Sequence, residues 1–213
     1  MNLSNITVNK QSSIRIEGSS ILYFDPFGIR DEKHDADLIF ITHEHYDHFE
    51  PESIAKVIKN GTSVIAPESM KNKVLKELTV SENKCIFCVP DSEYETGAVT
   101  VNTVPAYNVM KPFHPRANGW LGYIVHMDGI SYYVAGDTDV TGEARKVRTD
   151  VALLPIGGHY TMDKKQAAEL VHIINPIAVI PTHYGEIVGS PADGEKFRSL
   201  VEGKTKVQVE LRI

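Results

Sequence analysis

A chain of 213 residues is long enough to bury one sizeable core and short for two, so we expect a single domain over residues 1–213. Its 42% hydrophobic and 23% charged residues are ordinary for a globular protein and exclude collagen, coiled coil and general disorder. The 22 basic and 28 acidic residues give a formal net charge of −6, which argues against nucleic acid or an anionic membrane as a partner. A small-molecule substrate remains the expected partner.

The start of the chain, MNLSNITVNK, lacks the apolar segment behind a charged start that marks a secretory signal. No apolar run approaches the roughly 20 residues that a membrane-spanning helix needs. We therefore expect a cytoplasmic protein with no membrane association.

Alternating or β-branched runs predict strands along the whole chain. They cover residues 12–18, 19–25, 36–42, 62–67, 84–90, 98–106, 119–127, 130–137, 150–156, 176–182 and 206–211. Helical patterns predict helices over residues 51–60, 67–78, 161–175 and 190–203, the first two with proline at a first helical position. The order of these elements predicts two mixed β-sheets, each with helices on its outer face.

The strand over residues 36–42 runs into THEHYDH, which places His43, His45, Asp47 and His48 within six positions. Strand ends are where α/β sheets commonly place ligands, and imidazoles this close on one loop can face two metal ions. The alternative is a polar turn whose histidines cap the next helix, although histidine is not a preferred cap. The pattern indicates a metal site.

Two later strands also end in a metal-ligating residue type. Asp137 follows Gly136 at one strand end, and His183 follows Thr182 at another. Taken singly, the aspartate is typical of a turn and the histidine of a partly buried position. Their joint placement at strand ends predicts that they meet the THEHYDH residues at one sheet edge.

The stretches THEHYDH, VAGDTDV and IPTHYGE, in this order, resemble the metal-binding elements of the metallo-β-lactamase superfamily. VPAYN, LPIGGHYTMD and PTHYGEIVGS further resemble its compact members, such as ascorbate-phosphate lactonases. The resemblance implies an α/β fold, a four-layer αβ/βα sandwich of two mixed β-sheets with helices on the outer faces. It also implies a metal-dependent hydrolase.

The same resemblance implies a set of metal ligands. His43 and His45 would bind one metal, Asp47, His48 and His183 the other, and Asp137 would lie between them. Imidazole and carboxylate donors suit two Zn²⁺ ions first, with Mn²⁺ or Fe as alternatives. Such a pair would hold a metal-bound hydroxide that attacks an ester, lactone or phosphodiester bond of a small anionic substrate, with Asp47 as a candidate catalytic residue.

The chain departs from the superfamily in VPAYN, where related members have a histidine ligand and this chain has Asn108. An amide oxygen is the weaker donor, so we expect the first metal to be completed from elsewhere. His114, six residues later between Pro112 and Pro115, is the candidate third nitrogen, with Asn108 hydrogen-bonded beside it. His114 could instead be a substrate-contacting or solvent-facing loop residue. A degraded first site would favour the alternative function, a metal-binding regulatory or structural protein without catalysis.

The remaining candidates are residues for which a functional and a plain structural role are both open. Lys111 and Arg116 could meet an anionic group of a small substrate, or they could be solvated loop charges. His159 could protonate a leaving oxygen as a second catalytic residue, or it could lie at a helix entry. Tyr184 and Asn108 are further substrate-binding candidates, and Tyr184 could instead pack in the core.

Overall fold

The structure is a computed structural model that describes residues 1–202 and 207–212. The strands of the first sheet are β1 (Ile6–Lys10), β2 (Ser13–Glu17), β3 (Ile21–Phe24), β4 (Ala36–Phe40), β5 (Ile58–Pro67) and β6 (Cys85–Cys88). Those of the second sheet are β7 (Glu93–Glu95), β8 (Thr100–Pro105), β9 (Leu121–Met127), β10 (Ile130–Val134), β11 (Val151–Pro155), β12 (Ala178–Thr182) and β13 (Gln208–Val209). The α-helices of the described residues are α1 (Pro51–Val57), α2 (Lys71–Glu77), α3 (Lys164–Ile174) and α4 (Ala192–Glu202).

Both sheets are mixed. The first has the strand order β1-β2-β3-β4-β5-β6, antiparallel up to β3 and parallel from β3 onward. The second has the order β13-β12-β11-β10-β9-β8-β7, parallel from β13 to β10 and antiparallel from there. The parallel strands point their carboxyl ends to one edge, which is the edge where the sequence pattern predicts the metal ligands.

Three apolar clusters define the layers. One cluster joins the two sheets, and within it the rings of Phe40 on β4 and Tyr123 on β9 lie 5.3 Å apart. A second cluster packs α1 and α2 on the first sheet, and a third packs α3 and α4 on the second sheet. Each sheet therefore buries both faces, one against the other sheet and one under helices. This confirms the predicted four-layer αβ/βα sandwich.

Local sequence explains where the helices begin. The Asp163 side chain accepts hydrogen bonds from the backbone amides of Lys165 and Gln166, and the Gln166 side chain returns one to the Asp163 amide. This capping box starts α3 at Lys164, three residues after the predicted start. The helix ends at Ile174, because Asn175 takes a left-handed conformation with φ 46°.

Some predicted boundaries were wrong. The first helix ends at Val57, because Ile58 turns to an extended conformation and begins β5, pairing with Ala36. Pro67 ends β5, and a short 3-10 turn over Glu68–Met70 precedes α2.

The sequence pattern also missed two strands, β1 and β7. In both, exposed residues alternate with less exposed ones, and few side chains are apolar. The predicted helix end at Gly203 and the strand start at Lys206 lie outside the described residues. Within residues 1–202 and 207–212, no helix is long and apolar enough to cross a bilayer.

Candidate metal centre

Six of the candidate ligands follow the ends of β4, in the first sheet, and of β10 and β12, in the second, and His114 lies on the connection from β8 to β9. The Leu121 amide donates to the Thr42 carbonyl at 3.1 Å and so joins the two sheets at this edge. Gly136, with φ 63°, packs so closely that a Cβ atom there would lie 3.1 Å from the Cβ of Thr42. A larger residue would be strained as well as crowded. The glycine therefore brings Asp137 against the loop that carries His43.

Three overlapping groups of side chains place one ligand atom from each member within 4.8 Å of the others. The groups are His43, His45 and His114; His43, His48 and Asp137; and Asp47, His48 and His183. Asp137 lies between them, because its carboxylate oxygens are 3.3 Å from the Nε2 atoms of His48, His114 and His183. The structure thus brings together all seven residues that the sequence analysis named as ligands.

Several of these ligand atoms are buried without a hydrogen-bond partner. Among the described residues, Nε2 of His48, His114 and His183 and Oδ1 of Asp137 have no hydrogen bond of good geometry. Burying such atoms unpaired costs free energy, so several of them facing one point need a common partner. Neutral imidazole nitrogen and carboxylate oxygen are donors that a divalent transition metal accepts. The residues present therefore fit a metal pair.

Asp25, a buried carboxylate that the sequence analysis did not identify, orients two of the histidines. It accepts hydrogen bonds from the Thr42 amide at 2.7 Å and from the Thr42 hydroxyl at 2.6 Å, and its Oδ2 lies 2.7 Å from Nδ1 of His48. Because the Thr42 proton goes to Asp25, Nδ1 of His43, 2.9 Å away, must donate to the Thr42 oxygen. Both rings therefore turn Nε2 toward the centre.

Asp25 and His183 both have a left-handed backbone conformation. Asp25 has φ 44° and His183 has φ 55°, and both directly follow the end of a buried strand. Non-glycine residues rarely adopt this left-handed conformation and are enriched at functional sites. An aspartate at the end of the predicted strand 19–25 was the sequence signal that could have revealed this residue.

The ionisable side chains of the cluster shift one another's pKa values. Burial and the neighbouring His48 hold the pKa of His43 well below its usual value. Burial alone would lower the pKa of His48, but the carboxylates of Asp137 and Asp25 raise it well above its usual value. Burial would raise the pKa of Asp137, but His183 and His48 hold it well below its usual range. In the metal-free protein, these shifts favour an ionised Asp137 and a protonated His48.

The Asn108 amide holds His114 in place. Its Oδ1 accepts from the His114 backbone amide at 3.1 Å and lies 3.1 Å from Nδ1 of the same residue. Its Nδ2 donates to Asp139 at 3.2 Å and to the Tyr160 carbonyl at 2.9 Å. The imidazole of His114 consequently presents Nε2 to Asp137, with Asn108 on the other side of the ring.

The chain's one tryptophan lies against the first group of histidines. Trp120 is buried, and its ring centroid is 5.0 Å from that of His43, 4.9 Å from His45 and 5.5 Å from His114. Its indole therefore forms an apolar wall beside this group.

A cavity of about 260 Å³ opens onto the metal-ligating residues. Its lining combines five of them, His45, Asp47, His114, Asp137 and His183, with four aromatic or aliphatic side chains, Tyr46, Phe113, Tyr160 and Ile187. A small molecule bound there would contact the ligand cluster on one side and apolar surface on the other.

Five substrate-binding or catalytic candidates from the sequence analysis are not brought into this lining, and one of them is Asn108, which holds His114. Lys111 Nζ lies 2.5 Å from Asp139 and donates to the Thr161 carbonyl at 2.6 Å. Arg116 pairs with Glu143 at 2.6 Å and lies over the Tyr107 ring.

The other two, His159 and Tyr184, have structural surroundings. His159 is exposed, and its ring packs against those of Phe113 and Tyr160 at centroid distances of 5.2 and 4.5 Å. Tyr184 is buried in the apolar cluster between the second sheet and its helices. The local sequence could not show that Tyr184 is buried, because a tyrosine that follows a strand is equally compatible with a cleft and with a core.

Comparisons with known proteins agree with this fold. A family model described as a β-lactamase superfamily domain matches residues 5–183. A UPF0173 metal-dependent hydrolase from Thermococcus kodakarensis is 32% identical over 206 residues, covering 91% of this chain and 90% of the relative. Another from Pyrococcus furiosus is 34% identical over 218 residues, covering 96% and 95%. The structure of a metallo hydrolase from Ignicoccus hospitalis is similar with a TM-score of 0.80 and 24% identity, over 97% of this chain and 93% of that one.

The chain therefore belongs to the metallo-β-lactamase superfamily, as its fold and ligand cluster indicate. Within the superfamily its place is among the UPF0173 metal-dependent hydrolases, the enzyme family of both archaeal relatives.

Proposed function

We propose that this chain is a dinuclear metal-dependent hydrolase that cleaves an ester, lactone or phosphodiester bond of a small molecule. The observation that carries the proposal is the set of three overlapping ligand groups beside a cavity of about 260 Å³. Lactones are included because three stretches of the chain resemble compact lactonases of the superfamily.

The ligand groups divide between two metals. His43, His45 and His114 would hold one metal, Asp47, His48 and His183 would hold the other, and Asp137 would bridge them. Five imidazoles and two carboxylates favour Zn²⁺, with Mn²⁺ or Fe as the alternatives to test. When bound, the metals would supply Lewis acidity and lower the pKa of a water molecule enough to make it a nucleophile near neutral pH.

The chain's own residues prepare this site in three ways. Asp25 and Thr42 fix the orientation of His43 and His48, so that their Nε2 atoms face the centre before any metal binds. Asp137 supplies a negative charge between the two groups. Burial would raise the pKa of Asp47, but its contact with His183 lowers it, so its carboxylate is ionised in the cavity wall. Such a carboxylate can accept a proton from the attacking water.

The residue that protonates the leaving oxygen would lie at the rim of the cavity. The Tyr160 side chain lines the cavity, and His159 packs on its ring. His159 could reach a leaving group that extends past Phe113 to the rim, as could the Tyr160 hydroxyl. Either residue would act as a proton donor there.

A non-catalytic metal-binding protein is the alternative. It was favoured by the amide at Asn108, which leaves the first metal short of a ligand. His114 offers a third nitrogen within the 4.8 Å group, so the first ligand group has the donor number expected of a catalytic site. This observation weakens the alternative.

The test combines metal content with turnover. Purified protein would be reconstituted with Zn²⁺, Mn²⁺ or Fe²⁺, its metal content measured by mass spectrometry, and its activity assayed on p-nitrophenyl esters, lactones and bis(p-nitrophenyl) phosphate. We expect two metals per chain and turnover of at least one bond class, lost on chelation and in Asp137→Ala. Two bound metals with no turnover of any class would favour the binding protein. Full activity in Asp137→Ala would overturn the dinuclear proposal.

A further inference from the structure

The mouth of the metal cavity is built from large apolar side chains. Tyr46, Phe113, Tyr160 and Ile187 come from separate loops and share the lining with the metal-ligating residues. Tyr46 is 65% exposed and Ile187 is 40% exposed. Exposed apolar side chains that gather around a cleft mark a binding surface, because water is displaced from them when a ligand binds.

The same mouth lacks an available cation. No lysine or arginine lines this cavity among the described residues. Four cations on or beside the surrounding loops have a carboxylate partner: Lys111 with Asp139 at 2.5 Å, Arg116 with Glu143 at 2.6 Å, Lys10 with Glu186 at 3.3 Å and Lys73 with Glu44 at 3.8 Å. A negatively charged substituent away from the reacting bond would therefore find no lysine or arginine in the cavity lining.

Cavity size limits where such a substituent could go. The volume of about 260 Å³ is below the roughly 300–1,000 Å³ of pockets that enclose a drug-sized ligand. A substrate that reaches the metals would therefore extend along the apolar side chains of the mouth, which include Phe113 and Ile187. A charge held there would lose hydration without gaining an ion pair, which is costly.

We infer that the site takes an uncharged substrate with an aryl or alkyl group next to the scissile bond, and that Phe113 and Ile187 bind this group. The inference rests on the proposed hydrolase function, since it names the substrate class of the same site. It replaces the expectation that Lys111 and Arg116 meet an anionic substrate group. Within the bond classes proposed above, it favours neutral esters and lactones over phosphodiesters.

Two esters with one leaving group test the charge preference. The p-nitrophenyl esters of 4-methylbenzoic acid and 4-carboxybenzoic acid have nearly the same shape and differ in one charge. With spontaneous hydrolysis subtracted, we expect the metal-loaded protein to have a kcat/KM at least about tenfold higher for the methyl ester. Equal values for the two esters would overturn the inference while supporting the hydrolase function.

A binding measurement separates the inference from turnover. Hydroxamic acids chelate metals, so 4-methylbenzohydroxamic acid and 4-carboxybenzohydroxamic acid present the same two substituents to the metal-loaded protein without being cleaved. We expect calorimetry to show at least about tenfold tighter binding of the methyl compound. This preference with no hydrolysis of either ester, of any lactone or of bis(p-nitrophenyl) phosphate would support the inference and overturn the hydrolase function. Equal or tighter binding of the carboxylate would overturn the inference.

A pair of isoleucine variants locates the apolar contact. Ile187 lies beyond the carboxyl end of β12, in the cavity mouth, and Ile177 lies before the amino end of the same strand. Ile177 is 51% exposed and therefore provides a matched control. We expect Ile187→Ala to weaken binding of 4-methylbenzohydroxamic acid about threefold or more, with a smaller effect on acetohydroxamic acid, which lacks the ring. Ile177→Ala should leave both affinities unchanged. Equal effects of the two variants on the aryl compound would overturn the assignment of Ile187.

Discussion

Nδ1 of His48 lies 2.7 Å from Oδ2 of Asp25, a carboxylate with no exposed surface. Burial raises the pKa of Asp25, while His48 and Thr42 oppose the rise. The pair links the carboxyl ends of two neighbouring strands, β3 and β4, directly behind the ligand cluster. Asp25 thereby positions His48 without lying in the cavity lining.

The first prediction concerns this positioning role. Asp25→Asn keeps the shape of the side chain and removes the charge that orients His48, so we expect zinc affinity to fall about 10–100-fold. Competition with a fluorescent chelator measures the affinity. Asp31→Asn, at an exposed position on the connection from β3 to β4, is the control and should bind zinc normally. Equal affinity in both variants would show that Asp25 has no part in metal binding.

A second prediction concerns the completion of the first metal. His114→Ala should lower metal content by about one ion per chain, because it removes one of three nitrogens from the group with His43 and His45. Asn108→Ala should cost less metal, since Asn108 only holds the His114 ring. The exposed His159 provides the control variant, His159→Ala, which should keep both metals.

Fluorescence of the single tryptophan adds a second readout for this site. Trp120 lies beside all three histidines of the first group, so filling that group should change its emission. The change should be absent in His114→Ala and present in His159→Ala. Full metal occupancy with a normal emission change in His114→Ala would leave Asn108 or water to complete the first metal.

The sequence predicted six of the seven candidate ligands because they lie in segments that follow buried strands, where a local pattern is informative. It predicted His114 from the missing superfamily histidine at Asn108. It missed Asp25, whose role depends on a contact with His48, 23 positions away. It also could not show that Lys111 is neutralised, because the partner Asp139 follows 28 positions later on another loop. The expected single domain and cytoplasmic location stay predictions.

The third prediction separates structural from substrate-binding cations. Lys111→Met should lower the free energy of unfolding by about 1–3 kcal/mol, because it leaves the buried Asp139 carboxylate without its ion pair. Arg116→Gln should change stability by less than about 1 kcal/mol, since the Arg116 side chain is 64% exposed. Urea unfolding measures both values. Neither variant should change kcat/KM for the p-nitrophenyl ester of 4-carboxybenzoic acid by more than about twofold. A large rise in KM for this anionic ester would instead show that these residues bind substrate.

The last prediction concerns the protons released when metal binds. Burial would lower the pKa of His48, but the carboxylates of Asp137 and Asp25 raise it well above its usual value in the metal-free protein, which favours the protonated ring near neutral pH. Metal coordination requires a neutral ring, and binding must therefore release this proton. His43, whose pKa is held well below its usual value, is already neutral and releases none. Metal affinity should consequently rise with pH through neutrality and level off above the pKa of folded His48.

Calorimetric titration of the metal-free protein with Zn²⁺, in buffers of different ionisation enthalpy, counts these protons. We expect net release at pH 7, less release at about pH 9, and loss of the pH-dependent part in His48→Gln. His159→Ala should match the unchanged protein.

The raised pKa of His48 also affects the stability of the metal-free fold. The protonated ring contributes its full stabilisation below the pKa of His48 in the unfolded chain, about 6.5, and this contribution is lost as pH rises through the pKa of folded His48. The stability difference between the metal-free parent and His48→Gln should therefore shrink with rising pH, and a difference that grows instead would show that folded His48 is neutral.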